Sequence, residues 1–140
     1  MEKRNVELLA PAGNYECFLG AIQAGADAVY LGGSKFSARA YADNFTDEEI
    51  CKAILYAHVC GKKVYMTVNT LLKDGELSEL VPYMKPFYEA GLDGEIVQDF
   101  GVFTALKEAF SGLSLHASTQ MTLTGSMGTA FLQSLGTERI

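Results

Sequence analysis

Short apolar runs alternate along this chain with longer segments in which apolar residues recur every three or four positions. The runs have the length of buried strands, and the longer segments have the period of helices that pack on a sheet. Strands are therefore expected at 6–10, 28–31, 63–70, 94–98 and 113–118, with a sixth beginning near residue 138. Helices are expected between them, and four of these end at a glycine: Gly25, Gly61, Gly91 and Gly136.

Two of the expected helices have clear start signals. Asn14 is placed to cap a helix that runs to residue 24, and Thr46 with Glu49 forms the S/T-x-x-E capping box of a helix over 47–60. The third helical region carries Pro82 and Pro86. Each proline removes a backbone donor, so this region is expected to be kinked or split.

Repeated β-α units imply parallel strands with right-handed crossovers, and two architectures fit this pattern. A (β/α) TIM-type barrel typically needs about 250 residues, so residues 1–140 would be about five βα units of one, truncated at the start of strand six. A doubly wound sheet of flavodoxin type, with strand order 2-1-3-4-5, fits the length. The length favours the doubly wound sheet, and the ending inside a strand favours the partial barrel.

Side chains alternate along a strand, and the polar ones here share faces. Ser114, His116 and Ser118 lie on one face of the fifth strand, and Asn69 and Glu7 carry hydrogen-bonding groups on two others. A barrel explains this pattern, because its helices cover the outside and its site opens at the carboxyl ends of the strands. Glu7, Asn69 and His116 are then expected near one rim, although His116 could also be a hydrogen-bonded core histidine and Glu7 part of a structural ion pair.

Composition narrows the classes of function. The 140 residues carry 17 acidic and 11 basic side chains, a net charge of −6, without a Lys/Arg-rich block, so no nucleic-acid footprint is visible. The three cysteines have no C-x-x-C spacing, which indicates neither a disulfide framework nor a metal site. No apolar segment has the length of a membrane span or of a secretory signal, so no membrane partner and a cytoplasmic location are expected.

Six motifs occur in order along the whole chain: residues 7–13, 26–32, 36–39 with 44–45, 63–70, 96–99 and 116–120. As a set they resemble the N-terminal part of the collagenase-like peptidase family U-32. The resemblance implies a (β/α) barrel and a peptidase of unassigned catalytic type. It also implies an alternative, oxygen-independent hydroxylation of ribosomal RNA, transfer RNA or a ubiquinone precursor, with an iron–sulfur cluster. A small doubly wound binding domain is the non-enzyme alternative.

The family's cluster cysteines lie downstream of the barrel segment, so Cys17, Cys51 and Cys60 are not expected to be ligands, and no cofactor or metal is expected in this chain. Any iron–sulfur cluster would belong to the full-length parent. Self-association through open barrel edges is expected, and the chain alone is expected to be inactive on a peptide or RNA-linked substrate. Three residues are candidates for catalysis: Glu7, Asn69 and His116. Five others are candidates for substrate binding: Arg39, Asn44, Asp99, Ser118 and Gln120.

Overall fold

The computed structural model describes residues 6–38 and 44–140. Strands and helices alternate throughout the described part: β1 (Leu9–Pro11), α1 (Tyr15–Gln23), β2 (Ala28–Gly32), α2 (Asp47–Val59), β3 (Lys63–Val68), α3 (Asp74–Glu89), β4 (Gly94–Val97), α4 (Phe100–Ala109), β5 (Ser114–Ala117) and α5 (Ser126–Ser134). A short 3₁₀ turn at Thr119–Met121 separates β5 from α5. Within the described ranges, no helix is both long and apolar enough to cross a bilayer.

The strands form one parallel sheet in the order β1-β2-β3-β4-β5. This confirms the sequential order of a barrel, and the doubly wound alternative is wrong because β1 lies outside β2 rather than between β2 and β3. Arg139 forms a parallel bridge with His116 beyond β5, and its carbonyl accepts the Ala117 N–H at 2.8 Å. The expected start of a sixth strand lies at this point.

An ion pair across the sheet shows how strongly it curves. Glu7 precedes β1 and Arg139 lies beyond β5, yet Glu7 Oε1 is 2.9 Å from Arg139 Nη1. Five strand-to-strand steps of about 4.8 Å would separate these positions by about 24 Å in a flat sheet, more than the two side chains can reach. The sheet is therefore bent round its inner face as an open part of a barrel.

The outer face of the sheet packs against the helices. Most strand residues on this face are apolar. Val64, Met66 and Val97 are examples, and all three are completely buried. The apolar stripe of α2 lies in this core: Ile50, Ala53, Ile54 and Ala57. The buried layer between sheet and helices is the main hydrophobic core, and it fixes the sheet on which the inner-face residues stand.

Both helix starts expected from the sequence are confirmed. Asn14 Oδ1 accepts the Cys17 N–H at 2.8 Å. Thr46 Oγ1 accepts the Glu49 N–H at 3.2 Å, while Glu49 Oε2 accepts the Thr46 N–H at 2.9 Å, which completes the capping box. These caps satisfy backbone donors that would otherwise lack a partner at the helix ends.

The third helix departs from expectation, because α3 is one continuous helix with Pro82 and Pro86 inside it. The helix is not split, and a kink at the two prolines stays a prediction. Both prolines are exposed and stand four residues apart, on the same side of the helix. The carbonyl groups that lose a helical partner therefore lie on the solvent side, where water can replace the missing hydrogen bonds.

One acidic residue, Glu95 of β4, lies on the outer face among the apolar residues. It is completely buried, and neither carboxyl oxygen has a hydrogen-bond partner in the described part of the chain. Burial raises the pKa of Glu95 to about 8. The side chain is therefore a neutral carboxylic acid at pH 7, since an unpaired charge in such a place is costly.

Candidate functional site

A cavity of about 590 Å³ opens on the inner face of the sheet, toward the carboxyl ends of the strands. Its wall contains five of the eight residues expected at the site, from two strand ends and the loop after β2: Asn44, Asn69, His116, Ser118 and Gln120. Carboxyl ends of parallel strands are where barrel proteins place their sites. The inner face thus brings together most of the candidates that the sequence offers.

The loop after β2 is fastened to β3 at the cavity wall. Asn69 Oδ1 accepts the Ala38 N–H at 3.0 Å, and Ser37 Oγ lies 3.0 Å from Thr67 Oγ1. Thr67 Oγ1 in turn donates to the Leu31 carbonyl, so Ser37 is the donor of the pair. Asn69 therefore helps to fix this wall of the cavity, and its catalytic role stays a prediction.

Glycine is required where β2 passes under this loop. A Cβ built on Gly32 would lie 2.6 Å from Ser37 Oγ and 3.2 Å from Thr67 Oγ1. Those are the atoms of the hydrogen bond that fastens the loop. The glycine that ends β2 therefore allows the loop to close over the sheet and form one wall of the cavity.

His116 stands on β5 and is almost completely buried, with 4% of its surface exposed. Its ring packs edge-on against Tyr65 at a centroid distance of 4.7 Å, and Nε2 lies 2.9 Å from Ser114 Oγ. Nδ1 is buried without a partner among the described residues. Burial, assisted by the positive charge of Arg139, lowers the pKa of His116 to about 4, so the imidazole is neutral at pH 7.

Glu7 does not lie at the rim where it was expected, and that placement is corrected. The first strand begins at Leu9 instead of residue 6, so Glu7 precedes it at the amino end of the sheet. There its carboxylate accepts the Tyr65 hydroxyl at 3.0 and 3.2 Å and pairs with Arg139. Lys63 Nζ is 3.9 Å away. Glu7 belongs to an ion-pair cluster below the cavity, and its catalytic role stays a prediction.

One further candidate, Asp99, lies apart from the cavity wall. Asp99 is the N-cap of α4: its Oδ1 accepts from Gly101 N at 2.6 Å and Val102 N at 3.1 Å, and its Oδ2 accepts from Leu72 N at 3.1 Å. Both oxygens are thus used to fix the helix and the loop after β3. Arg39 lies outside the described residues. Substrate binding by either residue stays a prediction.

Sequence reasoning missed several residues that build the site. Arg139 lines the cavity and lies above the Tyr65 ring, with its guanidinium carbon 5.1 Å from the ring centroid. Glu138 Oε2 accepts the Ser114 hydroxyl at 2.8 Å. Alternation in β5 places Ser114 and His116 on one face, which the sequence does indicate. The contribution of residues 138 and 139 depends on a long-range strand pairing that no local pattern reveals.

The cysteines do not form a metal or cluster site. Within the described ranges, no group of three or more His, Cys, Asp or Glu residues could hold a metal ion. Cys17 lies on α1, while Cys51 and Cys60 lie nine positions apart on α2 and at its C-cap. At about 1.5 Å of rise per residue, that separates them by about 13 Å, too far for one iron–sulfur cluster. The residues present do not fit such a group.

The sequence profile of Peptidase family U32 matches residues 13–140. The chain belongs to family U32. Among curated U32 relatives, it is 36% identical over 134 residues to tRNA hydroxylation protein P1 of Bacillus subtilis, and 36% identical over 140 residues to the 23S rRNA 5-hydroxycytidine C2501 synthase of Escherichia coli. It is 32% identical over 132 residues to a collagenase of Porphyromonas gingivalis.

These alignments cover 96%, 100% and 94% of this chain, but only 32%, 21% and 31% of the three relatives. The chain therefore spans a third or less of the length of these U32 proteins. Among solved structures, the U32 peptidase Mk0906 matches 99% of this chain and 60% of its own, with a TM-score of 0.72 at 10% identity. At that identity the likeness concerns the fold, and it agrees with the barrel architecture.

Proposed function

We propose that this U32 chain takes part in the hydroxylation of RNA, and that its inner-face cavity holds the reacting part of the RNA. The observation that carries the proposal is the identity of 36%, over nearly the whole chain, to relatives named for tRNA hydroxylation and for 5-hydroxycytidine synthesis in 23S rRNA. The hydroxylase alternative is thus better supported than the peptidase interpretation.

The cavity has the size and chemistry that this proposal needs. Its volume of about 590 Å³ lies within the roughly 300–1,000 Å³ typical of small-molecule sites. Leu9, Tyr30 and Ile96 supply apolar surface, while Asn69 and His116 supply a few polar groups. Enzymes that act on a base usually take it out of the stack and hold it by stacking and by hydrogen bonds to its edge.

The charge of the chain limits what it contributes to RNA binding. With a net charge of −6, it does not supply the basic surface that contacts with a phosphate backbone require. The relatives are three to five times longer than the segment that matches this chain. We assign base-holding to this cavity and the phosphate contacts to other parts of the assembled protein.

Peptide hydrolysis is the second candidate, supported by the family's name and by the collagenase relative. The hydrogen bonds of His116 favour it less. In a serine triad the histidine stands between the serine and the acid, whereas here Ser114 stands between His116 and Glu138. Ser118 Oγ, the other serine on this face, accepts the Gln120 N–H. Neither serine is activated as a nucleophile.

An iron–sulfur cluster remains part of the proposal only outside this chain. The cysteines of this chain do not fit an iron–sulfur cluster, and the family resemblance implies that the cluster's cysteine ligands lie downstream of this segment. If the assembled protein binds a cluster, that group would supply the electron transfer for hydroxylation. The described residues of this chain would bind and orient the substrate and exclude water from it.

The test is a gene deletion in the organism that encodes this chain, followed by mass spectrometry of nucleosides from its tRNA and rRNA. We expect loss of one hydroxylated nucleoside, restored by the wild-type gene and by Cys51→Ser but not by His116→Ala. In parallel, the purified wild-type protein is incubated with gelatin. Unchanged RNA together with gelatin cleavage by wild type and not by His116→Ala would overturn the proposal in favour of the peptidase.

A further inference from the structure

A chain of hydrogen bonds runs beside the cavity, from Glu138 through Ser114 to His116. Glu138 Oε2 lies 2.8 Å from Ser114 Oγ, and Ser114 Oγ lies 2.9 Å from His116 Nε2. Ser114 and His116 stand two positions apart on β5 and so share a face, and Glu138 reaches them from the neighbouring segment, whose N–H donates to the Leu115 carbonyl.

The direction of each hydrogen bond follows from the groups present. A carboxylate oxygen can only accept, so the single Ser114 hydroxyl proton goes to Glu138. Ser114 Oγ then has only lone pairs to offer to His116. The imidazole must therefore donate from Nε2, and a neutral imidazole with its proton on Nε2 has a bare lone pair on Nδ1.

We infer that Ser114 and Glu138 are positioning residues, which hold His116 as the neutral Nε2–H tautomer and leave Nδ1 without a proton. A neutral imidazole carries one proton, so a hydrogen bond that fixes the proton on one ring nitrogen leaves the other nitrogen without one. The hydrogen-bond network therefore assigns the tautomer. The low pKa of His116 supports the assignment, since the ring carries one proton at neutral pH. Glu138 orients the ring through Ser114, and its charge also acts on the imidazole.

The orientation has a consequence for the occupant of the cavity. Nδ1 is buried and lacks a partner in the described part of the chain, which is an unfavourable state for a polar atom. The same ring lines the cavity. A molecule in the cavity with an N–H or O–H would complete this hydrogen bond only if the ring or its neighbours moved to admit it, because Nδ1 is buried. This consequence for the occupant rests on the proposed function. The tautomer assignment does not depend on the proposed function, because it follows from the hydrogen bonds alone.

The experiment is a long-range ¹H–¹⁵N correlation spectrum of the full chain, which distinguishes protonated from bare imidazole nitrogens. The chain has two histidines, so His58→Gln assigns the signals, and exposed His58 then serves as an internal reference. At pH 7 we expect His116 to show a protonated Nε2 and a bare Nδ1. A protonated Nδ1, or a doubly protonated ring, would overturn the inference.

Variants at residue 138 test the relay, the chain of hydrogen bonds from Glu138 through Ser114 to His116. In Glu138→Ala the Ser114 hydroxyl is free to turn and donate to Nε2, so we expect a mixture of both tautomers. Glu138→Gln keeps an accepting oxygen and should retain the wild-type pattern, as should the control Glu108→Ala on the exposed surface of α4. A wild-type pattern in Glu138→Ala would remove Glu138 from the relay. Ser114→Thr keeps the hydroxyl and should preserve the tautomer, and its loss there would contradict the role of Ser114.

Discussion

The two faces of the sheet treat a buried polar group in opposite ways. On the inner face, His116 lies in a network with Ser114, Tyr65 and, through the serine, Glu138. On the outer face, Glu95 of the neighbouring strand lies in the apolar core without a hydrogen-bond partner in the described ranges. Both side chains are buried and both are neutral at pH 7, but only the inner-face group has neighbours that use its chemistry.

The difference shows which buried titratable group is organised for function. Perturbed pKa values mark sites only when a cavity and specific partners accompany them. His116 has both, whereas Glu95 has a shifted pKa and nothing that exploits it. We therefore read Glu95 as a cost to stability and His116 as part of the site, and the following experiments separate the two faces.

The largest expected effect comes from two adjacent residues of β4 that point to opposite faces. Val97→Asn would bury an unpaired amide in the core, and we expect it to lower the free energy of unfolding by about 4 kcal/mol. Ile96→Asn, beside the cavity, should cost about 1 kcal/mol because the amide can meet water there. Urea denaturation followed by circular dichroism compares them, and equal losses would contradict the assignment of faces.

His116→Ala should reduce RNA hydroxylation about 100-fold in cells, since misplacing a bound substrate has effects of this size. Glu7→Gln is the matched variant below the cavity. It keeps the shape of the Glu7 side chain but weakens its pairing with Arg139, so we expect a loss of less than about tenfold. Quantitative nucleoside mass spectrometry measures both. A larger loss for Glu7→Gln would restore Glu7 as a catalytic candidate.

Glu95→Met should stabilise the chain by about 1–3 kcal/mol at pH 7, because it removes an unsatisfied buried group at similar volume. The folded-state pKa of Glu95, about 8, is above its ordinary value of 4.5. Its contribution to stability is thus fully present below pH 4.5 and is lost as the pH rises to about 8. Thermal unfolding from pH 4 to 9 should show that this fall disappears in Glu95→Met. A persistent fall would mean that another group causes it.

His116 should give a pH dependence of opposite sign. Its folded-state pKa of about 4 is below the ordinary 6.5, so its contribution is present above pH 6.5 and is lost as the pH falls toward 4. The slope is about 1.4 kcal/mol per pH unit at most. The charged groups around the ring are Arg139, Glu138, Glu7 and Lys63. In Glu95→Met, stability should rise from pH 4 to 6.5, and a further His116→Gln change should flatten that rise.

Cys51→Ser is the smallest expected effect. Cys51 is half-buried on α2, and burial raises the pKa of its thiol, so it remains protonated and unreactive. We expect a change within about 0.5 kcal/mol in stability and unchanged RNA hydroxylation. Denaturation curves and nucleoside analysis are the measurements. Loss of hydroxylation in this variant alone would show that the site lies on the helices instead of the inner face.

Sequence patterns predicted the elements of the fold well where the signal was local. The Asn14 cap, the Thr46 capping box and the alternation in β5 each depend on residues a few positions apart. The continuity of α3 was missed because it depends on which side of the helix Pro82 and Pro86 face. Helix and strand existence could thus be read from the chain, while the exposure of single positions could not.

The candidate site was predictable only in part for the same reason. Asn69, His116 and Ser118 follow from strand alternation, and the cavity contains all three. Glu7 was misplaced because alternation predicts which face a side chain lies on and not which end of the sheet, and residue 7 lies at the amino end of the first strand. Arg139 and Glu138 enter through a pairing of residues far apart in sequence. Local periodicity carries no information about such a contact.

The Glu7–Arg139 ion pair also constrains the order in which the chain folds. It joins residues 132 positions apart, so it cannot form until the intervening units have assembled. Contacts between residues so far apart in sequence form slowly, because closing the long loop costs conformational entropy before the contact adds any stability. We therefore expect the Glu7–Arg139 ion pair to form late in folding. Amide exchange at residues 138–140 should report the completed site more sensitively than exchange in the central strands.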